Sequence, residues 1–144
     1  MIKNRFINKT INTKIKDAIV LANQYLDADS DLMQAIKLKN DWKYPAGLKG
    51  IDVYLNLYRD REPVDVYTYK PFNVFSAAIG YFDGDSIHLN LRKLDSMSVN
   101  DVAGCLVHEY GHYCNYGHGS NWPSEDKNNY SVPYFCSTWA GRNL

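Results

Sequence analysis

No run of 18 apolar residues occurs anywhere in this chain, so no segment reads as a membrane span. Neither charge is in excess, because 16 basic and 16 acidic residues leave a formal net charge of zero. Without a basic field to gather phosphates, nucleic acid is not an expected partner. Cysteine is limited to Cys105, Cys114 and Cys136. An odd count argues against a disulfide framework. The first 21 residues are basic but broken by Asn, Thr and Asp, and they lack the continuous apolar core of a signal peptide. The expectation is a cytoplasmic protein, or one carried in a virion or released by lysis. Internal repeats, low-complexity tracts and Pro/Gly/Ser linkers are also missing, so residues 1–144 read as one domain long enough to bury a core.

What is present is an ordered series of periodic segments. Ile11, Ile15, Ala18, Ile19, Ala22, Tyr25 and Leu26 recur at helical spacing, which predicts a helix over 10–27. Ser30 is a candidate cap for a shorter helix ending near Lys39. Residues 42–50, with Pro45, Gly47 and Gly50, read as loop. Ile51, Val53, Leu55 and Leu57 alternate with polar and tyrosine residues, so 51–58 reads as a strand with a helix as the alternative. A turn at 60–63 leads to a Val- and Tyr-rich strand over 64–69. Two further strands, 78–82 and 86–91, flank Asp83-Gly84-Asp85, a hairpin signal. His88 falls on the face opposite Ile87 and Leu89 and reads as a solvated residue, not a ligand. Ser98 with Asp101 three residues on predicts a capped helix over about 99–114. Beyond it the chain reads as irregular, apart from an apolar stretch at 132–135.

The chemistry is concentrated in that last helix. Three of the four histidines lie between positions 108 and 118. His108 and His112 are four apart, so on a helix they project from one face, a turn apart, where two imidazoles can grip one metal ion. Glu109 lies beside them, placed to take a proton from a bound water. His118 supplies a third nitrogen and leaves a fourth position open, as catalytic zinc sites do. Glu125 and Asp126 are rival third ligands of poorer spacing. Cys114 and Cys136 read first as packed thiols, with pairing or a fourth zinc bond as the alternatives.

The segment His108-Glu109-x-x-His112-x-x-Asn115-x-x-His118 resembles the metzincin zinc-peptidase signature HExxHxxGxxH. The departure is Asn115, where the family has a glycine in a left-handed turn. Asn is the non-glycine residue that best tolerates that conformation. Ser131-Val132-Pro133-Tyr134-Phe135 is similar to the family's Met-turn, with Pro133 in the methionine position. The resemblance implies an α+β domain: a small, mixed, twisted sheet backed by helices, with an active-site helix beneath. It implies Zn²⁺ held by His108, His112 and His118, with Glu109 as general base. Tyr134 is the candidate second donor to the oxyanion, although the family's tyrosine falls one place later, at Phe135. It also implies that the last strand before the active-site helix is an antiparallel edge, occupied here by 80–88, on which an extended substrate pairs.

The expected function is therefore zinc-dependent hydrolysis of protein or peptide amides. Two alternatives stand beside it. One is a non-catalytic zinc domain serving structure or interaction, whose fourth position a cysteine would close. The other is a phage-associated hydrolase of cell-wall peptide.

Overall fold

The structure, a computed structural model, describes residues 2–73, 78–119 and 130–142. Among these residues the chain is α+β, with six helices and a four-stranded mixed sheet. In chain order the elements are β1 (Phe6–Asn8), α1 (Thr13–Tyr25), α2 (Asp31–Leu38), α3 (Gly50–Tyr58), β2 (Val64–Tyr69), β3 (Gly80–Phe82), β4 (Ser86–Asn90), α4 (Leu91–Leu94), α5 (Val99–Tyr113) and α6 (Val132–Arg142). No helix among the described residues is long and apolar enough to cross a membrane.

Local chemistry sets the helix starts. The Asn12 side chain accepts from the Ile15 N–H and opens α1, and Ser30 does the same for α2 through Met33. Ile15, Ala18, Ile19 and Ala22 then bury one face of α1. The sheet order is β1-β2-β4-β3, with β1, β2 and β4 parallel and β3 antiparallel to β4. Val64, Val66, Ile87 and Leu89 point into the core from alternate positions. The expected hairpin joins β3 to β4. Gly84 takes a positive φ of 97°, and Asp83 Oδ1 accepts from the N–H groups of Asp85 and Ser86.

Buried Arg5 ties these layers to α5. Its guanidinium donates to the carbonyls of Leu26 and Leu57 and to the Tyr110 hydroxyl. The two carbonyls lie at the C-terminal ends of α1 and α3, where a cation also suits the helix dipoles.

Three expectations need correction. Residues 51–58 form α3, not a strand. Apolar residues at every second position also lie four apart in two sets, and over so short a segment the two periods cannot be told apart. Val53 and Leu57 form the buried set, while Ile51 and Leu55 are exposed. Gly50 settles the packing, because a Cβ there would fall 2.3 Å from the carbonyl oxygens of Ile36 and Lys39. Gly50→Ala is therefore expected to destabilise the protein by about 3 kcal/mol in urea unfolding, and a loss below about 1 kcal/mol would contradict this docking of α3 on α2.

The second correction is α6. Residues 132–142 are helical where the sequence read as irregular beyond a short turn. Pro133 occupies the first helical turn, where its missing N–H costs nothing. Val132, Cys136 and Ala140, four apart, bury one stripe of α6. Gly104 and Gly111 of α5 admit it closely, since a Cβ on Gly111 would lie 3.2 Å from Pro133 Cγ. Third, β3 is an edge strand of the sheet, opposite edge strand β1, and β4, the last strand before α5, lies inside. Only the first arm of the 80–88 hairpin is therefore open to a partner.

Candidate metal centre

The helix α5 is built as its sequence indicates. Ser98 accepts from the Asp101 N–H, and the Asp101 carboxylate accepts from the Ser98 N–H, a complete capping box. Val102, Ala103, Leu106, Val107 and Tyr110 are buried. By helical spacing His108 and His112 lie on the other side of the helix, with ring centroids 5.1 Å apart.

The helix ends in a Schellman motif. The Tyr116 N–H donates to the Gly111 carbonyl and the Asn115 N–H to that of His112. Asn115 has a φ of 71°, the left-handed conformation that its place in the motif requires. The reversal returns His118 to 5.2 Å from His108 and 4.9 Å from His112, centroid to centroid. One nitrogen from each of the three rings lies within 4.8 Å of the others, a group that could hold a metal ion.

The outer shell favours that use. His112 Nδ1 lies 2.8 Å from the Tyr116 carbonyl, and His118 Nδ1 lies 2.8 Å from that of Gly119. His108 Nδ1 faces Ser137 Oγ at 3.4 Å, and the Ser137 hydroxyl donates a hydrogen bond to the Tyr134 carbonyl. An oxygen faces each Nδ1, so the tautomer with the proton on Nδ1 satisfies these contacts and leaves Nε2 for a ligand bond. Burial, with His112 and His118 alongside, pushes the His108 pKa down to about 3. Burial likewise lowers that of His112. Both rings are thus neutral near pH 7, the form that binds a metal.

Glu109 follows His108 on α5 and is buried. It is only 6 % exposed, and burial raises its pKa to about 7 against the opposing hydrogen bond from the Phe82 backbone. The carboxyl is thereby held at edge strand β3. Its charge is also felt by Tyr134, whose hydroxyl pKa is raised first by burial and then by Glu109. Tyr134, on α6, packs its ring 4.6 Å from that of His108 and 4.5 Å from that of His118. The segment containing Pro133 starts α6 and is not a separate turn; Pro133 packs against Gly111, and its backbone hydrogen-bonds to His108.

Other candidates fall elsewhere. His88 stacks between Tyr67 and Tyr81 and pairs with Asp83 at 2.8 Å, away from the cluster. Two backbone N–H groups and His88 hold the Asp83 carboxyl down to about 2. All three cysteines are free, and among the described residues none joins the histidine group. Burial pushes the Cys114 thiol up to about 11 and raises those of Cys105 and Cys136 as well. Glu125 and Asp126 lie outside the described residues. Sequence reasoning missed Ser137, the Tyr116 carbonyl and the Phe82 N–H. Ser137 needed α6 to be foreseen, three residues after Tyr134, and backbone groups carry no sequence signal. The chain matches no family model, no curated protein and no solved structure, so its site is read from these residues and this geometry.

Proposed function

We propose that the protein is a zinc-dependent peptidase of metzincin type that hydrolyses peptide or protein amides. The observation that carries the reading is the pairing of three convergent imidazoles with one buried carboxyl at an antiparallel sheet edge. An all-nitrogen donor set suits zinc among the common metals. Zn²⁺ held by His108, His112 and His118 would supply a Lewis acid that makes water acidic near neutral pH and polarises a carbonyl.

The chain's own groups supply the remaining chemistry. Glu109, with a proton affinity matched to neutral pH, takes a proton from the attacking water and delivers it to the departing amine. The Tyr134 hydroxyl donates a hydrogen bond to the oxygen on which charge develops. Strand β3 positions the substrate. Ile79 and Asp83 bond to β4, and by alternation Gly80 and Phe82 turn their backbone groups outward. Phe82 engages Glu109, while Gly80 offers an N–H and a C=O to an extended peptide added as a further strand.

The reading is tested by metal analysis together with a casein digest. One zinc per chain is expected, with cleavage stopped by a zinc chelator and restored by added zinc. Zinc-loaded protein that leaves casein and other unfolded polypeptides intact overturns the peptidase reading.

A further inference from the structure

Helix α3 reaches the histidine site from behind, at the turn that separates His112 from His118. Asn56, near the end of α3, donates from Nδ2 to the Cys114 carbonyl at 3.1 Å and to the Tyr116 hydroxyl at 2.9 Å. The Arg61 guanidinium donates to Asn56 Oδ1 and to the Asn56 backbone carbonyl. A guanidinium only donates, so Oδ1 must face Arg61 and both Nδ2 hydrogens must face the turn.

The two acceptors are well chosen. Cys114 caps α5, and its carbonyl is one of the last in the helix, with no partner inside it. Tyr116 is buried, and its backbone carbonyl is the group that accepts from His112 Nδ1. A parallel strut runs beside them, from the Tyr113 hydroxyl to the Glu62 carbonyl at 2.6 Å. Gly117 is exposed and a Cβ there would meet nothing within 4 Å, while the Nδ1 bond of His118 is to its neighbour Gly119.

We propose that Asn56, oriented by Arg61, is a positioning residue for the metal site: it pins the turn that aims His112 and delivers His118. The inference rests on the metal-site reading above. It adds a requirement on α3, an element with no ligand of its own.

The test is zinc affinity by competition with a chromophoric chelator, together with the visible spectrum of the Co²⁺-substituted protein. Asn56→Ala is expected to weaken zinc binding by about 10-fold, the lower end for an outer-shell partner, and to alter the cobalt bands. A packing role alone would lower the melting temperature of the metal-free and zinc-bound forms equally and leave affinity and spectrum unchanged, and that result overturns the proposal. If Asn56→Ala fails to fold, Tyr116→Phe removes only the accepting hydroxyl. An affinity loss of about threefold with a cobalt change then supports the proposal, and wild-type values overturn it. A wild-type protein that takes up neither zinc nor cobalt defeats the metal-site reading itself. That failure is distinct from a wild-type protein that binds and a variant that matches it.

Discussion

Glu109→Gln is expected to keep zinc at the wild-type level and to lower peptide hydrolysis by between about 10²- and 10⁴-fold, the range for losing a general base. Glutamine has the same shape, and its amide oxygen can still accept the Phe82 N–H. What it cannot do is carry a proton. Zinc analysis and turnover on the same preparation make the comparison, and retained turnover would sink the mechanism. Stability of the metal-free protein provides a second readout. Burial raises the Glu109 pKa from 4.5 to about 7. A group whose folded pKa is raised contributes stability that is complete below its unfolded pKa and is lost as pH rises through the folded one. Metal-free wild type should therefore lose up to about 3 kcal/mol between pH 4.5 and pH 7 through this group, and the variant should not. Urea unfolding of both at pH 5 and pH 8 checks the sign.

The parts of the site that lie on one element were legible in the sequence. The capping box of α5 and the left-handed turn at Asn115 are local, and each is decided by side chains within a few positions of it. The convergence of His108 and His112 follows from helical spacing, and that of His118 from the turn. What lies on other elements was not legible. Val53 and Leu57 fit two periods, and only the α2 carbonyls packed against Gly50 decide between them. Helix α6 hides behind Pro133 and a sparse stripe of three buried residues, so Tyr134 was reached only through its place near a Met-turn. The contacts that fix the ring tautomers run to carbonyls and to Ser137. The contact that holds the turn runs from Asn56, more than 50 residues upstream. Such pairings follow from tertiary packing, which single-sequence periodicity does not encode.

His118→Ala is the cleanest deletion of a proposed ligand, because His118 lies beyond α5 and contributes nothing to that helix. Among the described residues its ring meets the Gly119 carbonyl and the rings of Tyr134, His108 and His112. Losing a first ligand should weaken zinc by more than the roughly 10- to 100-fold that removal of an outer-shell partner costs. The effect also appears in unfolding. Zinc at 100 times its Kd stabilises the folded state by about 2.7 kcal/mol, worth roughly 5–10 °C for a domain of this size. A chelator should remove that shift from wild type. In His118→Ala at the same zinc concentration, little shift should remain for a chelator to remove. Because His108 and His112 are neutral near pH 7, zinc displaces no proton from either ring, and the comparison is free of a pH term from them. Zinc held as tightly without His118 would place the third ligand elsewhere. Glu125, Asp126 and the cysteines would then be the residues to replace next, since they carry the remaining donors that the sequence sets in or near this segment.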